Sequence, residues 1–515
     1  MNGHTESGRN YIQCKNANTF LHLLLIILLV SSANAIIVWE GKIVNEWPDQ
    51  KPLSSLPKSL ASGNEGSFYP NPSGKVYALT LLVDFSDQPA SFTTDEIRAW
   101  LNQRGFNRNG CNGSVKDYFL DVSNGIVELE NEAFGFYRAR NSKSYYDAGP
   151  GYNKASELVA EVLAYFDPQV DYSKYDNDGD GRADAISIAY AGTGKTWGQG
   201  IWPHAGSINE NRDNTRLTRY MMTDLGESFR LYVFVHETGH MLFGWPDLYW
   251  FGDYCVMGNR MNDYNPVPVN DFFRADQGWI ERIDLTNARS GTYKASVNGP
   301  AYIYFKPDKP QECFFWSNIR KTGRWSSLRG SGLLIYHFDN SIGGNSGPDR
   351  LCLRVMEADG KGDLIKSQWP DPGSQLSDFF FSGNSSRFDI SSTPSSKWYD
   401  GTGHLKITDF GPPGDTISFT LDNGETSLYA RNPDRINLSV QNPDFEISND
   451  RLYLRSNTKS LIRIFDISGK LLYTRHFEGA GQHRINFRDI TKSTGIFLLD
   501  YCSKDLKSKT QFLIK

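Results

Sequence analysis

The pattern of apolar and polar positions divides the first half of the chain into alternating strands and helices. Dense aliphatic runs over residues 76–85 and 183–192 are typical of buried strands. Between them, apolar residues recur at helical spacing over residues 94–101, 113–125 and 154–166. This order of elements predicts an α/β (α+β) fold for this part of the chain.

After about residue 280 the pattern changes to short β-type segments separated by turn residues. We therefore predict one domain over residues 76–280 and a β-rich continuation of it over residues 281–423. The polar residues 424–435 then have the composition of a linker. Residues 436–515 alternate between strand patterns and Ser-Gly or Thr-Gly turns, which predicts a small C-terminal β-sandwich.

The N-terminus has the pattern of a secretory signal peptide. Two basic residues precede an apolar run over residues 20–30, and an A-x-A site follows it. We expect cleavage after Ala35, so that residues 1–35 are the signal peptide and residues 36–75 a linker or short propeptide. The run falls short of the ~20 residues that cross a bilayer, although an uncleaved anchor is the alternative. No later segment has the pattern of a membrane span. With the signal peptide, this predicts that the mature protein is exported.

Composition narrows the class of protein. The chain has 515 residues, of which 39% are hydrophobic and 22% charged, so it is neither disordered nor collagen-like. Its 54 Lys and Arg against 59 Asp and Glu give a net charge of -5 without a basic stripe, which argues against nucleic-acid binding. The number of cysteines limits the disulfides that can form. Cys14 leaves with the signal peptide, so an odd number of cysteines remains. At least one of them is therefore a free thiol, and one or two disulfides are possible among them: Cys111, Cys255, Cys313, Cys352 and Cys502.

The segment His-Glu-Thr-Gly-His at residues 236–240 carries the strongest chemical signal. Four residues apart on a helix, His236 and His240 lie on one face and can both reach one zinc ion. Glu237 then stands where it can take a proton from zinc-activated water. The alternative is a pair of helix histidines without a metal, but such a buried cluster would contain costly polar groups.

The residues after the second histidine offer a third ligand. Gly244 can adopt a left-handed turn and Pro246 prevents the helix from continuing, so that Asp247 follows with a carboxylate oxygen. Farther on, Met257 stands before a glycine in a segment that resembles the Met-turn beneath the zinc site of metzincins. A lone methionine before glycine is otherwise an ordinary core residue.

Taken together, these motifs resemble the immune inhibitor A-like family of bacterial secreted metallopeptidases. The segments that carry the resemblance are HETGHMLFGWPDLY, CVMGN and NPVPVNDFFRADQGW, preceded by LTLLVDFSDQPA, GSVKDYFLDVSNG, VDYSKYDNDGDGRAD and IAYAGTG and followed by GLLIYHFD and MEADG. They cover about residues 75–420 in the family's order. The resemblance implies a metzincin-like zinc endopeptidase made as a secreted precursor. It also implies zinc ligation by His236 and His240, with Glu237 as the catalytic acid/base.

One feature departs from the family spacing H-E-x-x-H-x-x-G-x-x-D. Gly244 lies four residues and Asp247 seven residues after His240, one more than in the family, as though Phe243 were inserted. Because one helical residue turns the chain by ~100°, the turn at Gly244 has to absorb the insertion. We predict Asp247 as the third zinc ligand because its WPDLY context is kept, with Asp253 as the alternative.

A second metal signal is the acidic loop over residues 176–184. Its carboxylates at positions one, three, five and nine, its glycine at six and its backbone carbonyl at seven follow the first part of a calcium loop. Ser187 replaces the glutamate at position twelve, which predicts weaker binding or recruitment of another acid such as Asp171. We expect a structural calcium ion here, with an ion-free Asp-Gly turn as the alternative. The predicted ligands are Asp176, Asp178, Asp180, the carbonyl of Arg182, and Asp184.

Residues 436–515 resemble the C-terminal sorting domain of the Por (type IX) secretion system. IRIFDISGKLLYTRHF, HRINFRDITKSTGIFLLDY and the closing TQFLIK match its order of short strands, its Gly-Ile-Phe step and its terminal lysine. The resemblance implies transport through the periplasm to the cell surface or medium, with the type IX machinery as a partner. The alternative is an ordinary substrate-binding β-sandwich.

The sequence therefore predicts a secreted zinc-dependent endopeptidase that acts on protein or peptide substrates, with one catalytic Zn²⁺ and a structural Ca²⁺. A non-catalytic surface adhesin or scaffold on the same fold is a second hypothesis. The intact His236, Glu237 and His240 argue against it, whereas the shifted spacing after His240 favours it. A zinc amidase that acts on cell-wall peptide is a third hypothesis.

Overall fold

The computed structural model describes residues 72–423 with short gaps, together with isolated strands near both ends of the chain. The gaps are residues 150, 196–198, 259–261, 340, 343–350 and 367–372. The predicted signal peptide, most of residues 36–75 and the predicted linker lie outside the described residues. The chain divides into two compact units, Met1–Gly424 and Glu425–Lys515.

The first unit is built on a mixed sheet of eight strands. They are β1 (Ile37–Trp39), β2 (Lys42–Val44), β3 (Gly74–Asp84), β4 (Val127–Arg138), β5 (Arg182–Ala183), β6 (Ile186–Tyr190), β7 (His204–Arg212) and β8 (Thr215–Asp224). The order is β2-β1-β7-β8-β6-β3-β4, with β5 beside β8. β3, β4, β6 and β8 are parallel, whereas β7 pairs with β8 in the antiparallel direction. β1 and β2 fall in the segment predicted as a linker or short propeptide.

Helices cover both faces of this sheet, which confirms the predicted mixed α/β architecture. The helices of the first unit are α1 (Thr94–Asn102), α2 (Val115–Val122), α3 (Lys143–Tyr146), α4 (Gly151–Phe166), α5 (Tyr232–Thr238), α6 (Asp271–Asp276) and α7 (Asp363–Lys366). Because side chains alternate along a strand, Leu82 of β3 packs in the core with α1, α2 and α5, whereas Leu81 packs with α4 on the other face.

Capping residues define where the first two helices begin. Thr93 and Glu96 form a capping box at the start of α1, and Ser114 and Asp117 form another at the start of α2. Gly125, at φ 80°, lies just beyond the end of α2. These boundaries agree with the helices that the sequence predicts over residues 94–101 and 113–125.

The β-rich continuation contains two further sheets. Their orders are β14-β13-β12-β11-β9 and β10-β17-β16-β15. Phe272 of α6 contacts Phe315 and Phe338 of the five-stranded sheet at ring-centroid distances of 5.4 and 4.6 Å, so this sheet shares a core with the helices around α5. The strands are β9 (Arg282–Asp284), β10 (Gly291–Ser296), β11 (Ala301–Lys306), β12 (Lys309–Ile319), β13 (Gly332–Asp339), β14 (Leu353–Val355), β15 (Arg387–Phe388), β16 (Ile407–Thr408) and β17 (Thr416–Leu421).

The described strands of the second unit form two antiparallel sheets, in the orders β18-β19-β22 and β21-β20-β23-β24. All-antiparallel pairing is what the alternating sequence pattern predicts for this region. The strands are β18 (Phe445–Ser448), β19 (Arg451–Ser456), β20 (Ser460–Asp466), β21 (Leu471–Phe477), β22 (Gly481–Asn486), β23 (Gly495–Ser503) and β24 (Lys507–Ile514).

Two further predictions concern membranes and disulfides. Within the described part of the chain, no helix combines the length and the apolar character needed to cross a bilayer. Four cysteines are buried free thiols, so the disulfides for which the cysteine count left room do not form among them: Cys111, Cys255, Cys313 and Cys352.

Candidate metal centre

The helix that carries the candidate ligands changes its winding in the middle of the motif. His236 and Glu237 lie on α5, which continues directly into a π-helical turn, Gly239–Phe243, that carries His240. A π-turn accommodates one residue more than an α-turn, so this turn, and not the turn at Gly244 as the sequence predicted, absorbs the extra residue at Phe243. Gly244 follows at φ 67° and ψ 25°, the left-handed conformation that glycine adopts without strain.

This turn directs Asp247 back onto the two histidines. Its Oδ1 lies 3.2 Å from Nε2 of His236 and 3.3 Å from Nε2 of His240, and the two Nε2 atoms are 3.1 Å apart. A tetrahedral zinc site with ligands at about 2.0–2.1 Å separates its donor atoms by about 3.3–3.4 Å. The three donors therefore already have nearly the spacing of one face of such a site.

Asp253, the alternative third ligand, does not belong to this group of donor atoms. It is fully buried, and its backbone N–H donates to Ser374 Oγ at 3.1 Å. Among the residues that the structure describes, the carboxylate that meets both histidines is that of Asp247.

Two backbone carbonyls fix the orientation of the imidazoles. Nδ1 of His236 donates to the carbonyl of Val256 at 2.9 Å, and Nδ1 of His240 donates to the carbonyl of Trp245 at 2.6 Å. Because a carbonyl oxygen only accepts, each Nδ1 carries a proton, and a ring in this neutral tautomer points its Nε2 lone pair at the other ring. Two lone pairs and a carboxylate repel one another at this distance, so the geometry favours a cation among them.

Glu237 is a buried carboxylate beside these donors, and it has no hydrogen-bond partner among the described residues. It is 0% exposed, and both carboxylate oxygens lack a partner. Burial, reinforced by the charge of Asp247, holds the pKa of Glu237 well above its ordinary value. Burial lowers the pKa of His236, although Asp247 opposes this shift. An orphaned buried carboxylate is costly, which is why such groups mark functional sites.

Met257 and Trp245 support the helix from below. A Cβ added to Gly239 would lie 3.0 Å from Met257 Sδ and 2.7 Å from the Trp245 ring, so glycine allows both side chains to pack against the helix between the two histidines. Tyr232 also donates its hydroxyl to the carbonyl of Gly258 at 2.9 Å. The roles of Val256 and Trp245 were not predicted, because a backbone carbonyl leaves no signature in the sequence.

The strand β7 lies beside the candidate centre. It packs against α5 and the π-helical turn, and the short strand β1 pairs with its outer edge in parallel, with Val38 opposite Gly206. His236 and His240 are at most 1% exposed. The candidate ligands are therefore enclosed by surrounding elements in this structure.

The acidic loop brings together three of its four predicted carboxylates. Donor oxygens of Asp176, Asp178 and Asp184 lie within 4.8 Å of one another. Asp176 accepts the backbone N–H groups of residues 179, 180 and 181 at 2.9–3.1 Å. Burial raises the pKa of Asp184 to about 7. These oxygens are the donor type that calcium prefers.

The other predicted members of the loop have different partners. Asp180 Oδ1 accepts the backbone N–H of Arg182 at 2.9 Å, and Arg182 begins β5. Asp171, considered as a recruited acid, accepts from the backbone and hydroxyl of Ser173 and lies outside the carboxylate group. Asn177 connects the loop to β3, since its Oδ1 accepts the backbone N–H of Tyr77 at 2.7 Å.

No protein-family model and no curated protein matches the sequence of this chain.

Proposed function

We propose that this protein is a secreted, zinc-dependent endopeptidase of the metzincin type that hydrolyses peptide bonds within proteins. The observation that carries the proposal is the convergence of His236, His240 and Asp247 at 3.1–3.3 Å beside the partnerless carboxylate of Glu237. The packing of Met257 against Gly239 supports the metzincin assignment.

His236, His240 and Asp247 would hold the zinc ion and leave a fourth coordination position open. When bound, zinc would polarise the scissile carbonyl and make a water molecule more acidic. Glu237 accepts the proton of the attacking water and passes it to the departing amine. The carbonyls of Val256 and Trp245 keep the imidazoles in the tautomer that presents Nε2.

The test is casein cleavage by the purified protein, with and without a chelator and with zinc restored. Glu237→Gln is expected to lower the rate by ~10²–10⁴-fold or more, because it removes the proton acceptor but leaves the ligands. Its zinc content should stay near that of the wild type. Glu227→Gln, at an exposed position before α5, is the matched control and should cleave normally.

The alternative functions give other outcomes in the same assay. A scaffold would cleave nothing even with zinc restored, and a cell-wall amidase would release amine from cell-wall peptide but leave casein intact. Activity of Glu237→Gln within a few-fold of the wild type would contradict the role of Glu237.

We further propose that the C-terminal unit directs the enzyme through the type IX secretion pathway. Its resemblance to sorting domains supports this role, as does its separation as a compact unit that starts near residue 425. A chain that ends near residue 432 should fold and cleave casein, yet stop in the periplasm, because the candidate ligands all lie before residue 260. A substrate-binding sandwich predicts the opposite: weaker cleavage of large substrates with normal secretion. Normal yield of the truncated chain in the medium would contradict the sorting role.

A further inference from the structure

A third group of carboxylates lies in the β-rich continuation, apart from both sites described above. One donor oxygen from each of Glu357, Asp359 and Asp378 lies within 4.8 Å of the other two. Glu357 is 5% exposed and Asp378 is 0% exposed. Like charges at this spacing repel strongly in a buried environment, so the group requires either bound protons or a compensating cation.

The hydrogen bonds of Asp378 leave one of its oxygens unsatisfied. Oδ2 accepts the hydroxyl of Tyr254 and the backbone N–H of Gln375, each at 2.7 Å. Oδ1 is buried and has no hydrogen-bond partner. Asp363 adds a fourth carboxylate nearby, since its backbone N–H donates to Glu357 Oε2 at 2.8 Å and its own Oδ1 is buried without a partner.

Among the described side chains, the basic residue that contacts this group is Lys361. Lys361 contacts Asp359 Oδ2 at 2.5 Å, but its side chain is about half exposed. Its ammonium group is partly solvated, so it balances only part of the charge that these carboxylates carry when they are ionised. A bound cation would supply the missing charge and the missing partner of Asp378 Oδ1.

We propose that Glu357, Asp359 and Asp378, with Asp363 beside them, form a calcium site distinct from the loop at residues 176–184. All the donors are carboxylate oxygens, which suit a hard cation such as calcium better than zinc or copper. Oxygens on opposite sides of a calcium ion lie about 4.6–5.2 Å apart, which accommodates the 4.8 Å limit of this group.

The site would hold the loop between Asp247 and Met257 against the β-rich continuation. Tyr254, in that loop, donates to Asp378 and packs edge-on against Phe379 at 5.4 Å. The backbone of Asp253 donates to Ser374 Oγ, and α7 packs against the turn Tyr249–Phe251. A cation that fixes Asp378 therefore also fixes the loop that presents the candidate third zinc ligand.

The test measures calcium binding to the full chain by equilibrium dialysis, in the Glu237→Gln background to prevent self-cleavage. Asp378→Asn should bind one calcium ion fewer than this parent, whatever the loop at residues 176–184 binds. Lys361→Ala should keep the parent's calcium count, because the lysine is not a ligand. An equal calcium count in the parent and in Asp378→Asn would overturn the proposal.

A second measurement separates a lost site from a damaged fold. In chelator, the thermal midpoint of Asp378→Asn should equal or exceed that of the parent, because the substitution relieves repulsion. Added calcium should raise the midpoint of the parent more than that of the variant. If Asp378→Asn does not fold, Glu357→Gln takes its place with the same expectations. An equal gain in parent and variant, or an equal response of the parent to magnesium, would contradict a calcium site here.

Discussion

The histidine centre and the acidic loop are both encoded by short stretches of sequence, but the protein holds them in different ways. The imidazoles of His236 and His240 are fixed by carbonyls that lie beyond the helix, at Trp245 and Val256. In the loop, Asp176 is held by the N–H groups of its own neighbours. The first site is organised by tertiary packing, whereas the second is organised mainly by local hydrogen bonds.

This difference has an energetic consequence. A site whose donors are fixed before the ligand arrives loses little conformational entropy on binding, so each donor contributes strongly. In the loop, the carboxylates already accept hydrogen bonds from backbone N–H groups. Each of them therefore adds less to the free energy of ion binding. Loss of one donor is therefore expected to lower the metal affinity strongly at the histidine centre. In the loop, the loss of affinity should be smaller and should differ from residue to residue.

The largest effect is expected at the third ligand of the histidine centre. Asp247→Ala should weaken zinc binding by more than the 10–100-fold that loss of an outer-shell partner costs, because it removes a direct donor. Asp253→Ala should keep the zinc affinity of the wild type, since Asp253 lies outside the donor group. Competition with a chromogenic chelator measures both affinities. Zinc loss in Asp253→Ala but not in Asp247→Ala would reverse this assignment.

A smaller, graded effect is expected in the acidic loop. Calcium at 100 times its dissociation constant stabilises a folded site by about 2.7 kcal/mol. Asp178→Asn should lose most of this gain, because Asp178 belongs to the convergent carboxylates. Asp180→Asn should keep more of it, since Asp180 faces the backbone of Arg182. Thermal unfolding with calcium and with chelator gives the comparison, and equal gains in the two variants would refute the distinction.

A third prediction tests the packing beneath the histidine helix. Gly239→Ala places a methyl group against Trp245 and Met257 and should destabilise the fold by about 1–3 kcal/mol. Gly291→Ala is the matched control, because a Cβ at Gly291 meets nothing within 4 Å, and it should change stability by less than about 0.5 kcal/mol. Urea unfolding measures the difference. A Gly239→Ala variant as stable as the wild type would show that the helix has room to move away from Met257.

Several elements of the fold could be predicted from sequence because local chemistry determines them. The apolar run of β3 and the capping boxes of α1 and α2 are local signals. β12 was not predicted, because most of its residues are buried and it therefore lacks the alternation of a half-exposed strand. The hairpin between β7 and β8 was also missed, although its turn residues Asp213 and Asn214 both have positive φ, as a tight hairpin turn requires.

In the candidate site, too, only the locally encoded features could be predicted from the sequence. The spacing of His236, Glu237 and His240 and the glycine turn are visible in the sequence. The extra residue at Phe243 is visible too, but whether an α-turn, a π-turn or a loop absorbs it depends on packing. Two further features depend on contacts that sequence spacing does not encode: the distinction between Asp247 and Asp253, and the position of Asp180 outside the group of convergent carboxylates.

The most direct test of the histidine centre is the zinc content of the purified full chain, measured by elemental analysis after exhaustive dialysis. We expect about one zinc ion per chain in the wild type and near none in His240→Ala, because that substitution removes a donor whose Nε2 lies 3.1 Å from that of His236. His404→Ala, at an exposed histidine, should keep its zinc. A wild-type chain without zinc after reconstitution, or a His240→Ala chain that retains it, would contradict a zinc centre at this site.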